Sequence, residues 1–159
     1  MSNYQLFQND LPLQSLKSFK GDITIDTETL GLNIKRDRLC LIQLRNESDK
    51  KVYLIKFDKD ISPANSKNIK SLLEDKSLTK IFHYARFDMA VLKENLNINV
   101  RNVFCTKIAS KLTRTYSSKH GLKDLVKEIL NIDCKTFENL DNGIKITIDY
   151  IRNNLYEKL

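Results

Sequence analysis

Ile23-Thr24-Ile25-Asp26-Thr27-Glu28-Thr29-Leu30-Gly31-Leu32 begins as an alternation. Ile23 and Ile25 fall on one side, while Asp22, Thr24, Asp26 and Glu28 fall on the other. A period of two marks a strand with one face buried. Gly31 supplies the break that ends it. Asp26 and Glu28, two residues apart, therefore project their carboxylates from the same face. Like charges held side by side repel, which raises the pKa of one of them. A hard cation such as Mg²⁺ or Mn²⁺ binds carboxylate oxygen and offsets both charges. An edge strand with two solvated acids fits the same pattern, so the residues on either side have to decide.

Outward from this stretch the chain predicts a short strand or helical lead-in over 1–20, carrying Phe7, Leu11, Leu13 and Leu16. A polar turn over 33–38 leads to a second strand, Leu39-Cys40-Leu41-Ile42-Gln43-Leu44. The charged hairpin signal over 46–51 leads to a third, Val52-Tyr53-Leu54-Ile55. Three sequential strands on short turns predict an antiparallel meander. Residues 64–75 then place Ile69, Leu72 and Leu73 at helical spacing. Strands are expected at 79–83 and 100–104, and helices at 86–96, 106–112 and 120–130. Strands first in a meander and then alternating with helices predict a single mixed α/β domain over 1–159.

Composition bounds the function. The 159 residues are 41% hydrophobic, enough for a proper core. A formal net charge of +7 points to a polyanion as substrate or partner. Cys40, Cys105 and Cys134 show no C-x-x-C spacing. Each lies beside apolar residues, which predicts buried, reduced thiols. The N-terminal residues have neither a basic flank nor an apolar run, and no stretch reaches the length of a membrane span. The expectation is a soluble cytoplasmic chain with no membrane partner.

Asp88 is the residue that decides between the two readings of the acidic strand. On the predicted 86–96 helix, Asp88, Leu92 and Leu96 fall at i, i+4 and i+8, so the acid heads the apolar stripe. A carboxylate there is costly unless paired or metal-bound, and Arg86 and Lys93 lie on other faces. Asp26, Glu28 and Asp88 are then expected to converge. Such a site takes two divalent ions about 3.5–4 Å apart and serves phosphodiester hydrolysis. An N-terminal-turn Asp held by the helix dipole is the alternative.

Asp26-Thr27-Glu28-Thr29-Leu30-Gly31-Leu32 and His83-Tyr84-Ala85-Arg86-Phe87-Asp88 resemble the first two exonuclease motifs of the DEDD superfamily. Within it, the chain is most similar to ribonuclease D-type 3′–5′ exonucleases of the DEDDy kind. Arg36 to Gln43, Asn102 to Lys107 and Gly121 to Leu125 also resemble that family, and the similarity runs over roughly residues 20–133. The resemblance implies a ribonuclease H-like fold, with a mixed central sheet flanked by helices. It implies Mg²⁺ or Mn²⁺ held by Asp26, Glu28 and Asp88, and hydrolytic removal of 5′-nucleotides from a 3′ end of single-stranded RNA or DNA. Thr29 and Leu30 are where such a fold meets the terminal nucleotide, and His83 has a supporting role there.

The family's third motif is a Tyr followed four residues later by an Asp. Here Tyr150 is followed by Asn154. The resemblance gives Tyr150 the orienting of the attacking water and Asn154 the fourth metal corner, where it offers one neutral carbonyl oxygen. Two ions are expected, or one if this motif is lost. Residues 134–142 also depart from the family, and the chain has no tryptophan. A catalytically impaired exonuclease fold that only binds nucleic acid is the alternative. The basic segment of Lys107, Lys111, Arg114, Lys119 and Lys123 is placed to follow a phosphate backbone, with Tyr116 to stack on a base. A solvated helix face accounts for the same lysines.

Overall fold

The computed structural model describes residues 4–49 and 51–132. The chain divides into two compact units, Met1–Phe104 and Cys105–Leu159.

The first unit is built on a six-stranded sheet of order β1-β4-β3-β2-β5-β6. Its strands are β1 (Tyr4–Gln8), β2 (Ile23–Thr29), β3 (Leu39–Asn46), β4 (Val52–Lys56), β5 (Lys80–Phe82) and β6 (Val103–Cys105). β2 pairs antiparallel with β3, and β3 with β4, which is the expected meander. β1 lies parallel to β4, and β5 lies parallel to β2. A parallel neighbour needs a crossover. Between β4 and β5 it carries a 3₁₀ turn over Pro63–Asn65 and helix α2 (Lys67–Glu74).

α2 turns Ile69, Leu72 and Leu73 inward, as their spacing requires. Its first turn is capped from far away in sequence. Asp10 accepts hydrogen bonds from the backbone N–H of Asn68 at 2.9 Å and of Ile69 at 2.8 Å. Two donors that the helix leaves orphaned are thereby satisfied, and the segment joining β1 to α1 (Leu13–Leu16) is tied down. Asp10→Ala removes a cap worth about 1–2 kcal/mol. A fall in Tm of roughly 2–8 °C in a melting curve checks it.

The lead-in thus holds both a strand and a short helix. Several boundaries move by a few residues, three of them near the acids or in the sheet. β5 stops at Phe82 and leaves His83 in the turn beyond it, β6 starts at Val103 instead of Val100, and β3 runs on to Asn46. Lys80 is fully buried in β5. Its ammonium donates to the carbonyls of Asp75 and of Leu78, the latter at 2.7 Å, so the charge is solvated by backbone. Cys40 and Cys105 are unpaired and half-buried, not buried, because each stands near a strand end.

Helix α3 (Ala85–Leu96) follows β5 through Tyr84, whose φ of 73° and ψ of 46° are left-handed. For a bulky residue this is a genuine outlier. It turns the chain abruptly, so that the first turn of α3 comes down beside β2. α3 ends on Asn97 at φ 51°, whose N–H bonds Lys93 O at 3.1 Å while Ile98 N bonds Leu92 O. That is a left-handed C-terminal cap made by the residue type that tolerates it.

The second unit begins with α4 (Thr106–Thr113), followed by α5 (Leu122–Leu130). No helix among the described residues is long and apolar enough to cross a membrane.

Candidate active site

The alternation read from the sequence is the alternation of burial on β2. Ile23, Ile25 and Thr27 are buried, while Asp26 and Glu28 are exposed. Asp88, in the first turn of α3, is 5% exposed and shares its inward face with Val91, Leu92 and Leu96. The two segments meet at the residue between the strand acids. Thr27 Oγ1 donates to Asp88 Oδ1 at 2.7 Å.

The electrostatics follow from this placement. Burial, then the charges on Asp88 and Glu28, push Asp26 up to about 6. Burial also pushes Asp88 up to about 6, with the Glu28 charge adding to the rise. The Thr27 hydroxyl and backbone N–H groups pull it the other way. Repulsion and desolvation act here in the direction that a cation would reverse.

Two further residues belong to this cluster. Gln43 of β3 stands directly across from Asp26 in the antiparallel register and is 3% exposed. Its Nε2 donates to Glu28 Oε1 at 3.3 Å. Neither Gln43 nor Thr27 was assigned a role from sequence. The available signal was an amide inside the otherwise apolar run Leu39 to Leu44, and a threonine on the buried phase of β2.

The loop after β2 is clasped by Asp37. Its carboxylate accepts from Asn33 N at 2.9 Å and from the Arg36 guanidinium at 2.6 and 2.9 Å. Leu30 N donates to Arg38 O at 3.2 Å, and Thr29 Oγ1 to Gly31 O at 2.5 Å. Leu30 and Leu32 are left exposed at the end of the acidic strand. A Cβ on Gly31 would collide with Asp37 Oδ2. Gly31→Ala must therefore push Asp37 off its partners, at a cost of about 1–3 kcal/mol. Gly31→Ala/Asp37→Ala removes the clash, so in melting curves the double variant recovers part of what the single one loses.

In the second unit the expected basic track divides. Lys111 and Tyr116 are exposed, and Lys107 is half-buried. Arg114 is only 6% exposed, which corrects its expected place on the phosphate path. Its guanidinium donates to Ser110 Oγ at 3.0 Å and to Lys119 O at 2.8 Å, and it pairs with Glu128. Ser110 in turn bonds His120 Nδ1 at 2.9 Å. This arginine joins α4 to α5. Tyr150 and Asn154 lie outside the described residues, as does Cys134.

Compared with known families, residues 7–154 match the model of a 3′–5′ exonuclease family. The chain belongs to that family. Among solved structures, the exonuclease is similar to one described as the apo form of the nuclease. The two are 33% identical with a TM-score of 0.81, over 99% of this chain and 84% of the other. It is also similar to NrnC of Brucella melitensis with bound Mg²⁺, at 39% identity and a TM-score of 0.75, over 96% and 75% of the two chains. The same protein bound to pGG matches at 38% identity, with the same TM-score and coverage. Trypanosoma brucei RNase D in complex with RNA U12 is 17% identical with a TM-score of 0.67, over 90% and 57%, a likeness in fold. No curated protein matches the chain. The mixed sheet with its flanking helices is the ribonuclease H-like exonuclease fold.

Whether the exonuclease's acids suit a divalent ion is a question of donor chemistry. Asp26, Glu28 and Asp88 offer only oxygen, which Mg²⁺ and Mn²⁺ prefer. Their mutual repulsion is the charge imbalance that such an ion offsets. As they stand, no three His, Cys, Asp or Glu side chains among the described residues form a group able to hold an ion. By the chemistry of its oxygen donors and its negative charge, the set suits a hard divalent ion.

Proposed function

We propose that this chain is a single metal-dependent 3′–5′ exonuclease domain, hydrolysing the terminal phosphodiester of single-stranded RNA or DNA and releasing 5′-nucleotides. The observation that carries the proposal is the meeting of Asp88 with the acidic strand, where Thr27, between Asp26 and Glu28, donates to its carboxylate at 2.7 Å. Family membership over residues 7–154 supports it, as do the Mg²⁺ and pGG seen with the NrnC relative.

In this reading Asp26, Glu28 and Asp88, with Asn154, would hold two Mg²⁺ or Mn²⁺ ions. Bound there, divalent ions would lower the pKa of a water and offset charge on the leaving oxygen. The rest falls to the chain's own groups. Thr27 fixes the carboxylate of Asp88. Tyr150 orients the water. Thr29 contacts the terminal nucleotide, against which the exposed Leu30 wedges, and His83 supports them from the turn after β5. Lys107, Lys111 and Tyr116 bind the nucleic acid. The free 3′ end, the cytoplasmic location and a role in RNA processing belong to the proposal as well.

Asn154 favours a second reading, a nucleic-acid-binding module whose turnover is lost with the third motif. A 5′-labelled oligonucleotide incubated with Mn²⁺ separates the two. A ladder of products shortened from the 3′ end is the expected result, and Asn154→Asp is expected to raise the rate about tenfold or more, since it restores a charged ligand. Tight binding without shortening, unchanged in the Asn154→Asp variant, would overturn the enzymatic reading.

A further inference from the structure

We infer that Gln43 is a positioning residue for the acidic site, holding Glu28 through a neutral donor. The inference rests on the exonuclease reading above and deepens it.

Three observations carry it. The antiparallel register puts Gln43 across from Asp26, so its side chain shares a sheet face with both strand acids. Its Nε2 lies 3.3 Å from Glu28 Oε1, and only the nitrogen of an amide can donate to a carboxylate. Its Oε1 is buried and, among the described residues, has no hydrogen-bond partner. Gln43 itself is 3% exposed.

A buried amide with one unmade hydrogen bond is expensive. Elsewhere in an apolar strand, leucine or methionine would fill the space with no polar group to satisfy. A purely structural glutamine would be expected to use both halves of its amide. Among the described residues its side-chain bond runs to an acid of the site, so the amide serves for its donor.

Neutrality is the second part of the inference. A lysine or arginine opposite Asp26 would also hold Glu28. It would also form an ion pair and cancel the negative charge that a divalent ion needs. An amide steadies the carboxylate and leaves the net charge of the cluster untouched. Partners that orient metal-binding carboxylates typically matter by about 10–100-fold in metal affinity.

The test uses the full chain and Mn²⁺ alone, titrated by calorimetry or by the free-Mn²⁺ paramagnetic resonance signal. Gln43→Met keeps the length and apolar stem and removes the donor. It is expected to match or exceed the wild-type Tm in chelator while weakening Mn²⁺ binding about 10–100-fold. Gln43→Lys is expected to raise the Tm in chelator and abolish Mn²⁺ uptake. In a Glu28→Gln background, Gln43→Met should leave the residual Mn²⁺ affinity unchanged, because the residue acts through Glu28. A structural role would lower affinity in both backgrounds and would overturn the inference. So would wild-type affinity in Gln43→Met. A wild-type protein that takes up no Mn²⁺ would sink the exonuclease reading itself, an outcome distinct from either.

Discussion

Asp26→Ala will slow 3′ nucleotide release by about 10³-fold or more without unfolding the protein, the loss of several kcal/mol of charge stabilisation at the reacting phosphate. The reason lies in where the residue sits. Asp26 is exposed and contributes no core volume, so alanine leaves no cavity. It also removes one of three mutually repelling acids, and the metal-free protein should melt no lower than wild type. Single-turnover assays with Mn²⁺ on a 5′-labelled oligonucleotide, paired with a melting curve in chelator, read both effects. A rate within about tenfold of wild type would remove Asp26 from the machinery. Lost activity accompanied by a large fall in Tm would return it to an ordinary structural role.

Neutralising Asp88 has the second large effect, and its sign depends on pH and metal. In the folded protein the acids of Asp26 and Asp88 are raised to about 6 from 3.8. Between those values the folded state binds more protons than the unfolded one. Stability from these groups is therefore present at low pH, declines as pH rises from about 4 to about 6, and stays lost above that. Asp88→Asn removes the buried charge and still leaves an oxygen to accept from Thr27. At pH 7.5 in chelator its Tm should exceed wild type by roughly 2–6 °C, a gain of about 1–2 kcal/mol. At pH 4 the difference should vanish. Excess Mn²⁺ at pH 7.5 should invert the order, raising the wild-type Tm and leaving Asp88→Asn nearly unmoved. Scanning fluorimetry at pH 4 and pH 7.5, in chelator and in Mn²⁺, gives all four values. A variant less stable than wild type in chelator would contradict the account.

Much of this arrangement was legible in the chain. The alternation around Asp26 and Glu28 specifies β2 because only one face can be buried, and a slip of one residue would bury both acids. Asp88 could be placed because its spacing from Leu92 and Leu96 leaves it no other face of α3. β1 was harder, since in Tyr4 to Gln8 only Phe7 is even half-buried, which gives no burial rhythm to read. Arg114 was misplaced for a different reason. A sequence displays a charge but not its partners, and Ser110, the Lys119 carbonyl and Glu128 gather around it only in three dimensions. Gln43 was hidden in the same way, since its importance lies in a register across two strands.

Tyr84 carries a consequence for how this protein could be improved. A left-handed tyrosine costs about 1–3 kcal/mol, so glycine or asparagine at position 84 should be among the first changes recovered in a selection for heat resistance alone. The same relaxation would loosen the aim of the helix that delivers Asp88 to β2. Thermal robustness and turnover are thus set against each other at a single peptide unit, and a library screened for both would keep the aromatic residue.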